Sequence, residues 1–289
     1  MSETVGPPKI FDRGLLRGRL ARAMTRGAPD FLMARAADDL LDRLLTVKRE
    51  FPRSLDLGSP SAHFAQAVAA SGRAPPLRAS GCGGDVIIDE EAPPFAPNAF
   101  DLIVSGMALQ WVNDLPGALA QVRRMLAPDG LFIACLVGGA SLIELRFALA
   151  QAEEEIAGGA SPRVSPFVDV RDMGALLQRA GFALPVADVD SFTLRYDSMF
   201  ALMDDLRAMG AANVLAKRAR KPLRRDVVTR AARIYAERFS DADGRVRASF
   251  EIIWASGWAP HESQQKPAQR GSATTRLEDA MKSSRKSDA

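Results

Sequence analysis

The sequence predicts an α/β protein with a doubly wound, mostly parallel β-sheet. Short apolar runs, each followed by glycine or acidic residues, alternate along the chain with segments of helical periodicity. The predicted strands are 54–58, 86–91, 100–106 and 131–139. The last run is apolar throughout, which is typical of a strand buried on both faces. In such sheets a ligand lies outside the carboxyl ends of the strands.

The remaining elements follow from caps and turn residues. The predicted helices are Asp30 to about Lys48, His63–Ala70, Leu115–Leu126, one opened by a capping box of Ser141 and Glu144, one from Ser198 to Met209, and one from Pro222 to Phe239. An extended stretch over 185–196 and a strand over 246–258 complete the sheet, the latter as an antiparallel strand. Only Phe64–Asp85 is available for the first helix, the second strand and the second helix, which is too short for all three. We therefore expect the second strand to be vestigial, with no acid at its end, and the second helix to be lost.

These elements divide the chain into an arm, one domain and a tail. Residues 1–29 are expected to form a flexible N-terminal arm with a helical turn near Leu15–Ala23. Residues 30–258 form a single domain, whose 50–140 half carries the ligand site and whose 141–258 half contains a helical insertion that meets a substrate or partner. Residues 259–289 form a polar and charged tail, and its last twenty residues are expected to be disordered.

Composition excludes several classes of protein. No apolar run approaches the roughly 18–20 residues that a membrane span needs, and the N-terminus lacks the apolar core of a secretory signal. We therefore expect a cytoplasmic protein. Two cysteines, Cys82 and Cys135, and two histidines, His63 and His261, give neither a disulfide framework nor the spacing of a metal site.

A basic stretch lies at 217–225, with six Lys or Arg residues before the first acid, Asp226. It predicts either a solvated loop and helix start or a docking surface for an acidic partner. No aromatic residue is interleaved with these charges and no nucleic-acid motif is present, so we do not expect DNA or RNA binding.

Three segments carry the candidate chemistry. The first strand ends in Asp56-Leu57-Gly58, followed by Ser59, a turn that allows a ligand to approach the backbone closely. Asp89 and Glu90 follow the apolar run at 86–88 and are placed to bond an adenine amino group. Gln110 and Trp111 lie in the loop after the strand 100–106, at the expected pocket mouth. Each segment also has a plainer interpretation: an ordinary turn, a solvated loop, or packing of the indole under the next helix.

Together, LDLG and DEEAPPFAPNAFDLIVSGMALQWVNDLPGALAQVRRMLAPDGLFI resemble the S-adenosylmethionine-dependent methyltransferases, in the branch of the malonyl-carrier-protein methyltransferase of biotin synthesis. The runs GGASPRVSPFVDVRDMGALLQRAGF, LMDDLRAMGAAN and IIWASGWAPHESQQKPAQRGSA are similar to the complex I assembly factor 5 family. The resemblance covers roughly residues 10–275. It implies the class I methyltransferase fold, S-adenosylmethionine as cofactor, and either methylation or, as in eukaryotic members, hydroxylation of an arginine in a quinone-module subunit.

By this resemblance the cofactor loop contains Asp56, Gly58 and Ser59, Asp89 and Glu90 form the adenine side, and Gln110-Trp111 lies after the fourth strand. The loop departs from the family pattern, because Ser61-Ala62 stands where a second glycine belongs and Pro60 removes an N–H donor. The acid that holds the ribose in relatives is absent at Ser80-Gly81. Its loss removes charge-assisted hydrogen bonds worth roughly a hundredfold in affinity. We therefore expect weak or no binding of S-adenosylmethionine.

Three functions remain open from the sequence. The first is methyl transfer to a protein or carrier-bound substrate, with no catalytic residue identified. The second is a respiratory complex I assembly factor that modifies or chaperones a quinone-module subunit. The third, a nicotinamide dehydrogenase, is disfavoured because no G-x-G-x-x-G follows the first strand.

Overall fold

Seven strands form one sheet in a computed structural model that describes residues 8–265 of the chain. The strands are β1 (Ser54–Leu57), β2 (Leu77–Ser80), β3 (Val86–Ile87), β4 (Phe100–Gly106), β5 (Leu126–Val137), β6 (Ala183–Tyr196) and β7 (Val246–Trp258). Their order is β3-β2-β1-β4-β5-β7-β6. The first five strands pair in parallel, and β7 runs antiparallel to both neighbours. The predicted doubly wound, mostly parallel sheet is confirmed.

Eight helices within the described residues surround this sheet. They are α1 (Arg13–Thr25), α2 (Phe31–Thr46), α3 (His63–Ala70), α4 (Leu115–Met125), α5 (Ile143–Ala157), α6 (Val170–Arg179), α7 (Met199–Ala208) and α8 (Arg225–Phe239). A 3₁₀ turn over Leu109–Trp111 precedes α4. Pro222 lies in the loop before α8, not at its first turn. None of the helices among residues 8–265 is long and apolar enough to cross a membrane.

The central strands β4 and β5 bury both faces, because alternate residues belong to different clusters. Val104, Ile133 and Cys135 pack with α2 and α3, whereas Ile103 and Phe132 pack with α4 and α6. The consecutive apolar residues at 102–104 and 131–137 are therefore what the two-sided packing requires.

The edge formed by β2 and β3 is much thinner. β2 has four residues and β3 only two, and no helix forms between Ser80 and Val86. The predicted strand 86–91 is therefore shorter than expected, and Asp89 and Glu90 lie in the turn after it. The expected shortening of the second strand and helix is confirmed.

Helix α1 is longer than the single turn predicted at Leu15–Ala23. Asp12 caps it by accepting a hydrogen bond from the Leu15 amide at 3.0 Å. Phe11 and Leu16 are buried in a cluster with Trp111, so α1 packs against the carboxyl end of the sheet. The buried residues of this segment are Phe11, Leu16 and Ala23. So few apolar positions do not reveal an interface in a sequence whose other residues are mostly Arg, Gly and Ala.

The capping box predicted at Ser141 and Glu144 does not form. Helix α5 starts at Ile143, after Leu142 in the left-handed region with φ 57°. Glu144 is buried and accepts hydrogen bonds from the Ser249 amide at 3.1 Å and its hydroxyl at 2.5 Å. The glutamate therefore ties α5 to β7, together with the apolar cluster that α7 and α8 complete.

Candidate functional site

The turn after β1 places Gly58 where no other residue fits. Its backbone has φ +79°, and a Cβ atom there would lie 2.9 Å from Ala108 Cβ and 3.0 Å from Glu90 Cγ. The Gly58 amide donates to Ala79 O at 2.7 Å, which ties the turn to β2. Ser59 is buried and its hydroxyl accepts a hydrogen bond from the Gly106 amide at 2.8 Å. The predicted loop residues are thus held together at the carboxyl ends of β1, β2 and β4.

Asp56 is buried in β1, with a side chain only 1% exposed. Neither carboxylate oxygen has a hydrogen-bond partner among residues 8–265, and the nearest cation is Arg78, whose Nε lies 3.7 Å from Oδ2. Burial raises the pKa of Asp56 to about 7. Near neutral pH the carboxyl is therefore only partly ionised, and it supplies only part of a negative charge to a cationic ligand.

Glu90 lies at the end of β2, although it comes from the turn after β3. Its Oε1 accepts a hydrogen bond from the Gly81 amide at 2.7 Å, and its Oε2 is paired with Arg13 of α1. Arg17, one helical turn further along α1, lies 3.5 Å from the same oxygen. A carboxylate therefore occupies the end of β2, where the sequence has none.

Asp89 and Glu91 belong to the same cluster of charges. Arg13 pairs with Asp89 and lies 3.2 Å from Glu91, and Arg17 lies 3.4 Å from Asp89. Burial opposes ionisation of Asp89, but the Glu91 amide and the Arg13 guanidinium together lower its pKa. Arg13 thus favours the charged form of Asp89, and the two arginines hold α1 over this acidic turn.

A second contact fixes the start of α1. The Asn113 side-chain oxygen accepts hydrogen bonds from the amides of Ile10 and Phe11 at 2.8 and 2.7 Å. The Phe11 ring meets Trp111 edge to face, with centroids 5.5 Å apart. Arg218 of the basic stretch lies 3.2 Å from Asp12. Part of the predicted docking surface at 217–225 is therefore used to anchor α1.

Little space remains between α1 and the loop of Gly58. The cavity there measures about 30 Å³ and is lined by Arg13, Leu16 and Arg17 on one side and by Gly58, Gly81 and Glu90 on the other. Protein pockets for small ligands measure roughly 300–1,000 Å³. The glycine turn and Glu90 suit a nucleoside, but S-adenosylmethionine does not fit while α1 is in this position.

A larger cavity, of about 480 Å³, lies beside the small one and shares Trp111 and Met107 with it. We call it the apolar chamber. Its polar lining residues are Asp30, Ser61, His63, Arg78 and Gln110. Gln110 is buried, its Nε2 donates to Met107 O at 2.8 Å, and its Oε1 has no hydrogen-bond partner in the described part of the chain. Gln110 and Trp111 thus line this chamber, which also borders the far end of the cofactor loop at Pro60 and Ser61.

Sequence reasoning missed Arg13 and Arg17. The available signal was their spacing of four residues, which puts two guanidinium groups on one helical face, together with three consecutive acids at 89–91. No group of three or more His, Cys, Asp or Glu residues within 8–265 has the arrangement of a metal site.

The strand order and the glycine turn at the end of β1 define a methyltransferase-type domain, and the comparisons agree. A methyltransferase domain family matches residues 31–185. Among solved structures, the Bacillus subtilis YcgJ protein aligns with a TM-score of 0.50 at 14% identity, covering 78% of this chain and 99% of that one. A Bacillus halodurans protein assigned as a methyltransferase aligns with a TM-score of 0.51 at 15% identity, covering 76% and 97% of the two chains. Identities this low support the fold alone.

Sequence relatives are more specific. Human mitochondrial arginine-hydroxylase NDUFAF5 is 41% identical over 92% of this chain and 81% of its own length. The zebrafish protein of the same name is 38% identical over 94% and 90%. The malonyl-[acyl-carrier protein] O-methyltransferase of Halorhodospira halophila is 34% identical over 78% and 81%. The chain therefore belongs to the methyltransferase domain family and, within it, to the group that contains arginine-hydroxylase NDUFAF5.

Proposed function

We propose that this chain binds an arginine side chain of a partner protein in the apolar chamber and is the site of its modification. The observation that carries the proposal is the buried Gln110 Oε1, an acceptor without a partner among residues 8–265, in a chamber that is otherwise mainly apolar. A buried acceptor is costly unless a donor reaches it. A guanidinium offers five N–H donors in one plane.

Two further groups suit a guanidinium. Trp111 lines the chamber, and an indole face attracts a planar cation. Asp30 supplies a carboxylate at the chamber wall, where it lies 3.2 Å from His63 Nε2. Arg78, the cation in the lining, lies 3.7 Å from Asp56. The chamber therefore offers a stacking surface, an amide acceptor and a carboxylate to an incoming arginine.

The modification that similarity to the arginine-hydroxylases favours is hydroxylation. With dioxygen as oxidant, one oxygen atom enters a C–H bond and the other leaves as water, for which a separate organic two-electron donor supplies two electrons and two protons. Gln110, Trp111 and Asp30 bind and orient the arginine in this proposal and take no redox role. The partner that we propose is a respiratory complex I subunit, because the chain resembles the complex I assembly factor 5 family.

Methyl transfer is the second candidate, because the domain has the methyltransferase fold and the malonyl-carrier methyltransferases are relatives. We propose that binding of S-adenosylmethionine is weak in this chain, since the space at the Gly58 loop is small.

We also propose that the protein resides in the bacterial cytoplasm.

One experiment separates these candidates. The tagged chain is expressed in a bacterium whose chromosomal copy of its gene has been deleted. The respiratory subunits are then purified, and their peptides are analysed by mass spectrometry. An arginine heavier by one oxygen supports hydroxylation, and a gain of one methylene group supports methyl transfer. Gln110→Leu is expected to abolish the gain. Gln151→Leu is the matched control and leaves it unchanged, because this half-buried amide of α5 also has an Oε1 without a partner among residues 8–265 but does not line the chamber. Unmodified subunits in cells with the wild-type chain contradict both.

A further inference from the structure

The end of β2 carries a carboxylate that β2 itself does not encode. In nucleotide-binding sheets an acid about 20 residues beyond the glycine turn bonds the ribose hydroxyl groups. Here β2 ends with Ser80, and Gly81 follows it. Glu90 reaches the same place from the turn after β3, since it bonds the Gly81 amide at 2.7 Å and packs its Cγ against the open side of Gly58.

We infer that Glu90 replaces the missing ribose-binding acid, and that Arg13 of α1 is an internal counter-ion which a nucleoside ligand must displace. The inference rests on the fold and on this cluster of charges, and it is independent of the arginine modification proposed above. It gives Glu90 a different contact from the adenine amino group that the sequence suggested.

Glycines approach this carboxylate closely on both sides. A Cβ at Gly58 would lie 3.0 Å from Glu90 Cγ, and a Cβ at Gly81 would lie 3.1 Å from Glu90 Oε1 and 2.5 Å from Arg17 Nε. The two turns are thus shaped around the Glu90 side chain and the guanidinium groups that cover it. A shape so closely fitted is not expected of a solvated loop, the plainer interpretation of residues 89–91.

Arg13 occupies the oxygen of Glu90 that does not bond Gly81. Its side chain is 12% exposed and that of Glu90 is 11% exposed, so the pair is largely removed from water. Ribose hydroxyl groups donate hydrogen bonds to a carboxylate, as guanidinium N–H groups do. The ligand and Arg13 therefore compete for the same oxygen. The apparent affinity is the intrinsic affinity multiplied by the fraction of molecules in which α1 is displaced.

Isothermal titration calorimetry with S-adenosylhomocysteine and with adenosine tests this competition. Arg13→Gln is expected to tighten binding of both by about tenfold, because it removes a charge-assisted hydrogen bond that closes the site. Arg22→Gln is the matched control. Arg22 lies on the same helix, and within residues 8–265 its guanidinium bonds only Gly18 O of that helix, so the substitution should leave binding unchanged.

A second comparison assigns the ribose contact. In the Arg13→Gln background, Glu90→Gln is expected to weaken the binding of adenosine by about tenfold. It should leave unchanged the binding of 2′,3′-dideoxyadenosine, which lacks both hydroxyl groups that would bond Glu90. Equal loss with both nucleosides, or no loss with either, overturns the role of Glu90. Absence of nucleoside binding in both the wild-type chain and Arg13→Gln overturns the inference as a whole. Thermal unfolding of each variant verifies that it is folded.

Hydrogen exchange supplies a readout that does not depend on these substitutions. Saturation of the wild-type chain with S-adenosylhomocysteine is expected to speed amide exchange in Arg13–Thr25 at least several-fold, since the ligand displaces α1. Slower exchange there means that α1 closes over the ligand as a cover, and it contradicts the competition.

Discussion

The centre of the sheet and its thin edge are held by different forces. At the centre, Leu102, Phe132 and Trp254 are at most 1% exposed and pack against helices on both faces. At the edge, Ile87 is 68% exposed, and the turn after it is fixed by ion pairs to α1. Apolar burial is additive over many atoms, whereas an ion pair depends on protonation, salt and competing ligands. The centre therefore supplies stability, and the edge supplies a contact that a ligand can exchange.

The largest effect is expected from Trp254→Ala at the centre. The Trp254 ring is fully buried and stacks on Phe64 at 6.2 Å, so truncation leaves a large cavity. We expect the free energy of unfolding to fall by about 3–5 kcal/mol. The control is Ile87→Ala at the edge, which should cost less than about 0.5 kcal/mol. Urea denaturation of both variants measures the contrast, and equal losses would refute it.

A substitution at the cofactor loop should come next. Gly58→Ala combines a left-handed backbone at φ +79° with a Cβ only 2.9 Å from Ala108 Cβ. We expect a loss of about 2–4 kcal/mol, from backbone strain and from overpacking. Gly72→Ala has a similar φ of +85° but meets open space, so it should lose only about 1–2 kcal/mol. The difference between the urea denaturation midpoints of the two variants measures the cost of the contact between the added Cβ and Ala108 Cβ. Identical midpoints would show that this contact does not affect the free energy of unfolding.

The same contrast governs what could be predicted from sequence. The central strands were recognisable because β4 and β5 are apolar at nearly every position, a pattern that needs no knowledge of distant residues. Gly58 can be recognised because an acid and a glycine at the end of a strand are a local pattern, typical of a turn where a ligand approaches the backbone. The pairing of Arg13 with Glu90 joins residues 77 positions apart and leaves no periodic signal. Likewise, Glu144 was predicted to cap its own helix, but Ser249, 105 residues away, takes its carboxylate.

The pH dependence of stability should reveal Asp56, which lies between the centre and the edge. Its pKa is about 7 in the folded protein because of burial, against about 4 when unfolded. Between these values the native state binds more protons than the unfolded state, so the Asp56 contribution to stability decreases as pH rises from about 4 to about 7. Above that range the decrease is complete.

Asp56→Asn should remove this dependence. Because the amide cannot ionise, we expect the variant to gain stability relative to the wild-type chain at pH 8, by at most about 4 kcal/mol, and to gain little at pH 4. Urea denaturation at both pH values gives the difference directly. A variant that is destabilised equally at the two pH values would show that the carboxylate is needed in its charged form, which would contradict the raised pKa.

The smallest effect is expected from Arg17→Ala at the edge. Arg17 lies 3.4 Å from Asp89 and 3.5 Å from Glu90, and its side chain is 35% exposed. Its Nε is buried without a hydrogen-bond partner among residues 8–265, which offsets part of the attraction. We therefore expect a loss of no more than about 1 kcal/mol at low salt, and none at about 1 M salt, where charges further apart than about 3 Å are screened. Urea denaturation at both salt concentrations measures the change.

The loss from Trp254→Ala should persist at high salt, because it comes from packing. If the Arg17→Ala loss also persists, α1 is held at the edge by apolar contacts, and the proposed exchange of Arg13 for a ligand loses its physical basis.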